Sequence, residues 1–424
     1  MPPELARPPI PVVVQQHAEE CALLRQIRSV LVRAPHVRLR HLRRLDDRIA
    51  AHADGLAVAG ADGTRLCTQA LERVGAGVVF ALALRLIDQR DERGLDRLMA
   101  LAAAVPDARR GLLSALGWVS ATQLQGIVRS LLAADDTGRR ALGIAACRLH
   151  QVDPGAALAQ AVQDQAPSLR AEGWRAAGEL ARGDLLEGAL AACTDPDPAL
   201  AFAAARCACL LGDRASAPAA LQGIAERAGA PQEEARRWLL LASDFHHARE
   251  FVRLLAHAAP PELPPGRGVI SACALLGDTA CIPWLFECMA DDRLARLAGE
   301  AFSLITGADL AALDLERKPP EHVPGGPTED PEDDNVALDP DDSLPWPDIA
   351  RVQRWWQAQA GAMPAGARCF MGRAPGVEHC GEVLREGFQR QRIVAAALLV
   401  LLAPGRKLFP VGAPSWRQSR LLAG

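Results

Sequence analysis

One nine-residue phrase occurs twice in this chain. Leu210 to Pro218 reads LLGDRASAP, and Leu275 to Pro283, 65 residues later, reads LLGDTACIP, with Leu, Leu, Gly, Asp, Ala and Pro in register. Half that offset is the length of one short helix pair, so the spacing predicts a stack of such pairs. Turn aspartates keep the interval: Asp91, then Asp153, Asp184, Asp213, Asp244, Asp278 and Asp309, with steps of 31, 29, 31, 34 and 31 after the first gap of 62, whose midpoint holds Thr122. This makes about eight turns in one frame between residues 91 and 309.

The residue types suit such turns. An aspartate between two helices can accept hydrogen bonds from the open N–H groups of the second helix, and its charge suits that helix's positive end. The glycine before it, in LLGD and in ARGD at 181–184, fits the left-handed residue that ends a helix. Pro218 and Pro283 fall where a first-turn residue needs no N–H partner. The opposite turn of each unit reads as an aspartate followed by small residues at helical spacing, as in the segments opening at Asp195 and Asp291. Small side chains let neighbouring helices approach closely.

Composition agrees with an all-α fold. Aromatic residues are 4%, tyrosine is absent, and alanine and leucine dominate the 50% hydrophobic fraction. Strands favour β-branched and aromatic residues, whereas alanine, leucine and arginine favour helix. The net charge of −4 lacks the basic excess of a non-specific nucleic-acid binder. The 11 cysteines are odd in number and irregularly spaced, which reads as reduced core thiols rather than disulfides or metal ligands. The N-terminus has no basic stretch followed by an apolar one, and the longest apolar run, Ile393 to Ala403, falls short of the roughly 20 residues of a membrane helix. A cytoplasmic protein away from the membrane is expected.

Both ends differ from the repeats. Ile10 to Arg33 reads as one helix, and His36 to His52 as a second that carries Arg38, Arg40, His41, Arg43, Arg44 and Arg48 around Leu39, Leu42 and Leu45. AHADGLAVAGADG then reads as a glycine-rich turn. The bland reading of this region is a cap for a stack that needs a closed end. Residues 316–348, rich in proline, glycine and acids, read as a linker or long loop. Ile349 to Gly361 and Val377 to Leu402 read as helices, and the tail from Ala403 as extended. The expected organisation is a helical cap over 1–60, a solenoid over 61–315, the acidic linker over 316–348 and a helical C-terminal region over 349–424.

DDRLARLAGEAFSLITG, at 291–307, resembles a HEAT repeat, and the LGDxxxxPxL pattern resembles that family's inter-helix signature. More widely, QQHAEECALL (15–24), RAPH (33–36), AHADGL (51–56), the pair Trp355–Trp356, GARCFMGR (366–373) and LREGFQRQR (384–392) resemble a bacterial HEAT-repeat family often encoded beside type VI secretion genes. Ala53 stands where leucine is more usual. The resemblance implies protein partners such as a secretion spike, an effector or an effector chaperone. It carries no catalytic residue, metal or cofactor.

Chemistry has few footholds. His17, Glu20, His52 and Asp54 form the most enzyme-like cluster, able to bind a metal or move protons if the first two helices pack antiparallel; the alternative is polar groups tying helix ends together. Metalloprotease, nucleophile-elbow and phosphate-loop motifs are absent from the sequence. Trp355 and Trp356 are candidate interface anchors, joined by Gln389, Arg390, Arg392, His17, His52 and Asp54 as polar candidates. The expectation is therefore a non-catalytic protein-binding scaffold or adaptor for type VI secretion effector loading or assembly. The alternatives are a hydrolase or lyase on the N-terminal cluster, or a HEAT-like nucleic-acid binder.

Overall fold

The computed structural model describes residues 9–258, 266–321 and 339–423. Among them the regular structure is 22 α-helices and four 3-10 turns, with only two isolated β-bridges. The chain divides into two compact units, Met1–Ala189 together with Arg406–Gly424, and Leu190–Gly405.

The first unit contains α1 (Pro11–Leu31), α2 (Leu39–Val58), α3 (Gly60–Gln69), α4 (Ala76–Gln89), α5 (Glu92–Ala104), α6 (Pro106–Trp118), α7 (Ile127–Leu132), α8 (Thr137–Leu149), α9 (Ala156–Ala161) and α10 (Pro167–Glu179). The division falls within α11 (Leu186–Ala192). The second unit holds α12 (Pro198–Leu211), α13 (Ser216–Ala225), α14 (Gln232–Ala242), α15 (Phe245–His257), α16 (Arg267–Leu276), α17 (Ile282–Met289), α18 (Ala295–Thr306), α19 (Ile349–Gln359), α20 (Val377–Glu386) and α21 (Gln389–Leu402). α22 (Ser415–Ala423) returns to the first unit.

Within each unit helices pack on a sequence neighbour, and alternate helices also pack on the helix two places along. In the first, α4, α6, α8 and α10 contact one another in succession; in the second, α12, α14, α16 and α18 do so. The buried faces are alanine-rich: Ala204, Ala205 and Ala208 of α12 have no exposed surface. Cys207 and Cys209, two apart on α12, are both buried because neighbours cover this helix on both sides. None of the 11 cysteines forms a disulfide, and only Cys193 and Cys281 are partly exposed.

The turn chemistry is visible atom by atom. Asp91 accepts from the Gly94 N–H at 2.9 Å, Asp244 from His247 at 2.9 Å and Asp278 from Ala280 at 2.9 Å. Asp213 accepts from Ala217 at 2.6 Å, Asp153 from Gly155 at 2.9 Å and Asp309 from Ala312 at 3.2 Å. Gly212, Gly277 and Gly307 end their helices in the left-handed region. Two expectations need correction. Asp184 is held by the Arg182 guanidinium, 2.8 Å to each oxygen, and it is Ala181 rather than Gly183 that turns left-handed, at φ 60°. At the Thr122 midpoint, Ser120 and Gln123 cap each other instead, and α7 starts only at Ile127.

The ends are also more helical than their sequence suggests. The stretch at 51–63 is no turn: α2 continues through Gly55 to Val58 and α3 starts at Gly60. Gly55 is there for space, since a Cβ would lie 2.6 Å from the His17 ring. Val377 to Leu402 is two helices broken at Gly387–Phe388, and the tail ends in α22. Of the acidic stretch, residues 322–338 lie outside the described residues. Asp339 and Asp341 beyond them bind Arg296 and Arg267 of the second unit, with Asp339 2.7 Å from Arg296.

Candidate functional site

The first helix pair brings the predicted histidines together. His17 Nδ1 lies 3.0 Å from His52 Nδ1, with the rings edge to face at 5.2 Å. Burial, and next the neighbouring His17, hold the His52 imidazole below its ordinary pKa, so the neutral form is favoured. One ring donates and the other accepts, so the pair spends its facing nitrogens on each other. Glu20 sits on the same helix as His17, 3.9 Å from Arg48. Asp54 is exposed and is not brought to the pair. Among the described residues no group of three or more His, Cys, Asp or Glu is arranged to hold a metal ion.

Deeper between the same helices, Asp46 is wholly buried and accepts from Arg28 Nε at 2.6 Å and from the Ser415 N–H at 2.7 Å. Arg28 also donates to the Gly412 and Ala413 carbonyls and lies 5.6 Å over Trp118. Trp118 meets Trp416 edge-on at 4.8 Å. Arg417 donates to the carbonyls of Gly117, Leu149 and Val119, at the ends of α6 and α8. The C-terminal tail thus fastens α1, α2, α6 and α8 by satisfying groups that helix ends leave open.

A shallow cleft of about 300 Å³ opens between α1, α3 and α4, lined by Gln15, Glu19, Cys67, Gln69 and Val78. Burial pushes the Cys67 thiol up to about 11, so it is protonated near neutral pH and is a poor nucleophile.

The second unit uses its C-terminal residues structurally. Trp355 and Trp356 are half-buried and stand edge-on to Phe302, at 5.7 and 6.3 Å. Gln389 and Arg392, expected as contact residues, have no exposed surface, which corrects that expectation: Arg392 donates to the Leu384 carbonyl at 2.7 Å and to Gln389. Burial pulls its guanidinium down to about 10. Arg390 pairs with Glu300 at 2.6 Å. Arg368, which sequence reading passed over, is mostly buried and donates to the carbonyls of Leu240, Ser243 and Leu275, while Cys369, Met371 and Gly372 give their N–H groups to Gly277, Leu304 and Ile305. The segment GARCFMGR therefore closes the ends of α14, α16 and α18.

Compared with known proteins, the chain matches no family model, no curated protein and no solved structure. No described helix is long and apolar enough to cross a membrane.

Proposed function

We propose that the chain is a HEAT-like α-solenoid scaffold or adaptor that binds proteins and performs no chemistry itself. The observation that supports this best is the packing within each unit, where every second helix stacks on the next and arginines close the helix ends. Such stacks present long, stiff surfaces suited to holding partners. The half-buried tryptophans and the paired histidines are tied into the packing, which fits a structural more than a chemical use. The resemblance of both chain ends to the family encoded beside type VI secretion genes directs the proposal to effector loading or assembly, with a spike protein, an effector or an effector chaperone as partner.

Affinity purification from the native host in moderate salt, with mass spectrometry of co-eluting proteins, tests the reading. Recovery of one of those three classes supports it. Recovery of the bait alone, together with metal bound in stoichiometric amount and lost from a His17→Ala/His52→Ala variant, would replace it with the enzyme reading.

A further inference from the structure

The start of α2 carries the densest run of basic residues on the chain. From residue 33 to residue 45 there are Arg33, His36, Arg38, Arg40, His41, Arg43 and Arg44, and no acid. Arg33, His36, Arg40, Arg43 and Arg44 are exposed. Among the described residues Arg40, Arg43 and Arg44 have no carboxylate partner; Arg40 reaches only the neighbouring His41 ring, at 3.2 Å. The charges also stand at the wrong end of the helix. The first turn of α2 has no acidic residue, and its open N–H groups already concentrate positive potential there. Burial and then Arg40, Arg44, Arg38 and His36 depress the His41 pKa, which registers the same crowding.

An apolar strip runs beside this patch. On α1, Leu23, Ile27 and Val30 follow one another at helical spacing and are 54%, 38% and 60% exposed. The contacts of His17 with His52 and of Arg28 with Asp46 set α1 and α2 antiparallel. The last turn of α1, with Val30, is therefore level with the first turns of α2, where Arg40, Arg43 and Arg44 stand.

We propose that this corner of the first unit is a docking surface for an acidic amphipathic segment of a partner protein, its carboxylates on Arg40, Arg43 and Arg44 and its apolar face on Leu23, Ile27 and Val30. The inference rests on the protein-binding reading and names the chemistry of one partner. A protein segment fits better than a nucleic acid for two reasons. The patch spans barely two turns of helix on a chain of net charge −4, too short for a backbone-tracking groove. The apolar strip also offers nothing to a phosphate backbone, whereas a helix laid in a groove uses such anchors.

The test uses the full-length protein and fluorescence anisotropy with a labelled amphipathic Glu/Leu helical peptide. Duplex DNA of matched charge and anionic phosphatidylserine vesicles are run beside it. Wild type should bind the peptide, tightening as salt falls. Arg40→Glu/Arg43→Glu/Arg44→Glu should weaken it at least tenfold, and Leu23→Ser/Ile27→Ser should weaken it several-fold at fixed salt. The charge reversal should also raise the thermal midpoint, because acids suit a helix start, so lost binding cannot be blamed on lost folding. Peptide binding unchanged in either variant, no peptide binding, or tighter binding to DNA or vesicles that ignores Leu23 and Ile27 would overturn the proposal. The native-host purification separates this from the wider reading: partners recovered equally with wild type and the charge-reversed chain leave the scaffold standing and remove this surface.

Discussion

The guanidinium of Arg368 donates to the carbonyl of Leu240 at 2.6 Å, across 128 residues of chain. With its bonds to Ser243 and Leu275 it closes the ends of two repeat helices at once. A buried acceptor that loses its donor costs about 1–3 kcal/mol. Arg368→Ala should therefore lower stability by about 3 kcal/mol, measured as a fall in the urea midpoint. Arg368→Lys should recover only part of this, because one ammonium cannot span three carbonyls.

Asp46 binds Arg28 and the Ser415 N–H where no solvent reaches it. Removing one partner of such a pair leaves a buried charge, at about 3–5 kcal/mol. Asp46→Ala should approach that cost in denaturant unfolding. Deleting residues 406–424 should destabilise the first unit through the same group, and the two changes combined should cost less than their sum.

Gly277 sits at φ 70°, and a Cβ there would lie 2.2 Å from the Cys369 carbonyl oxygen. Gly212, its repeat equivalent, meets only a proline side chain at 3.3 Å. Left-handed backbone costs a non-glycine residue roughly 1–2 kcal/mol. Gly277→Ala should exceed that cost through its clash with the Cys369 carbonyl, a clash Gly212→Ala does not meet, and paired thermal melts will show Gly277→Ala as the costlier of the two.

The His52 pKa in the folded chain lies below its ordinary 6.5. The unfolded chain then binds more protons, so stability is full above about pH 6.5 and declines as pH falls toward the folded value. His41 and His150, depressed chiefly by burial, act in the same direction. Unfolding free energies measured between pH 5 and pH 8 should show this slope, and His52→Gln should flatten it.

The repeat turns were legible because their signals are local. Asp213 reaches Ala217 and Asp244 reaches His247 within one helical turn, so a side chain and its partner share one short stretch of sequence. Where a local signal was ambiguous the reading failed. Ala181 outbid Gly183 for the left-handed position, and the glycines at 55 and 60 joined helices rather than ending them. The histidine contact was legible only as a condition on how α1 and α2 pack.

The sequence by itself determined that this protein is helical, paired at an interval near 31 residues and capped by aspartate and glycine, because those features depend on side chains within a few residues of one another. Only the tertiary structure decided which polar residues serve the interior. Arg368, Arg417 and Asp46 resemble surface residues in the sequence. They are drawn inside because distant helix ends and the returning tail leave open hydrogen-bonding groups there, and burial without a partner would cost more than bringing the charge in with one.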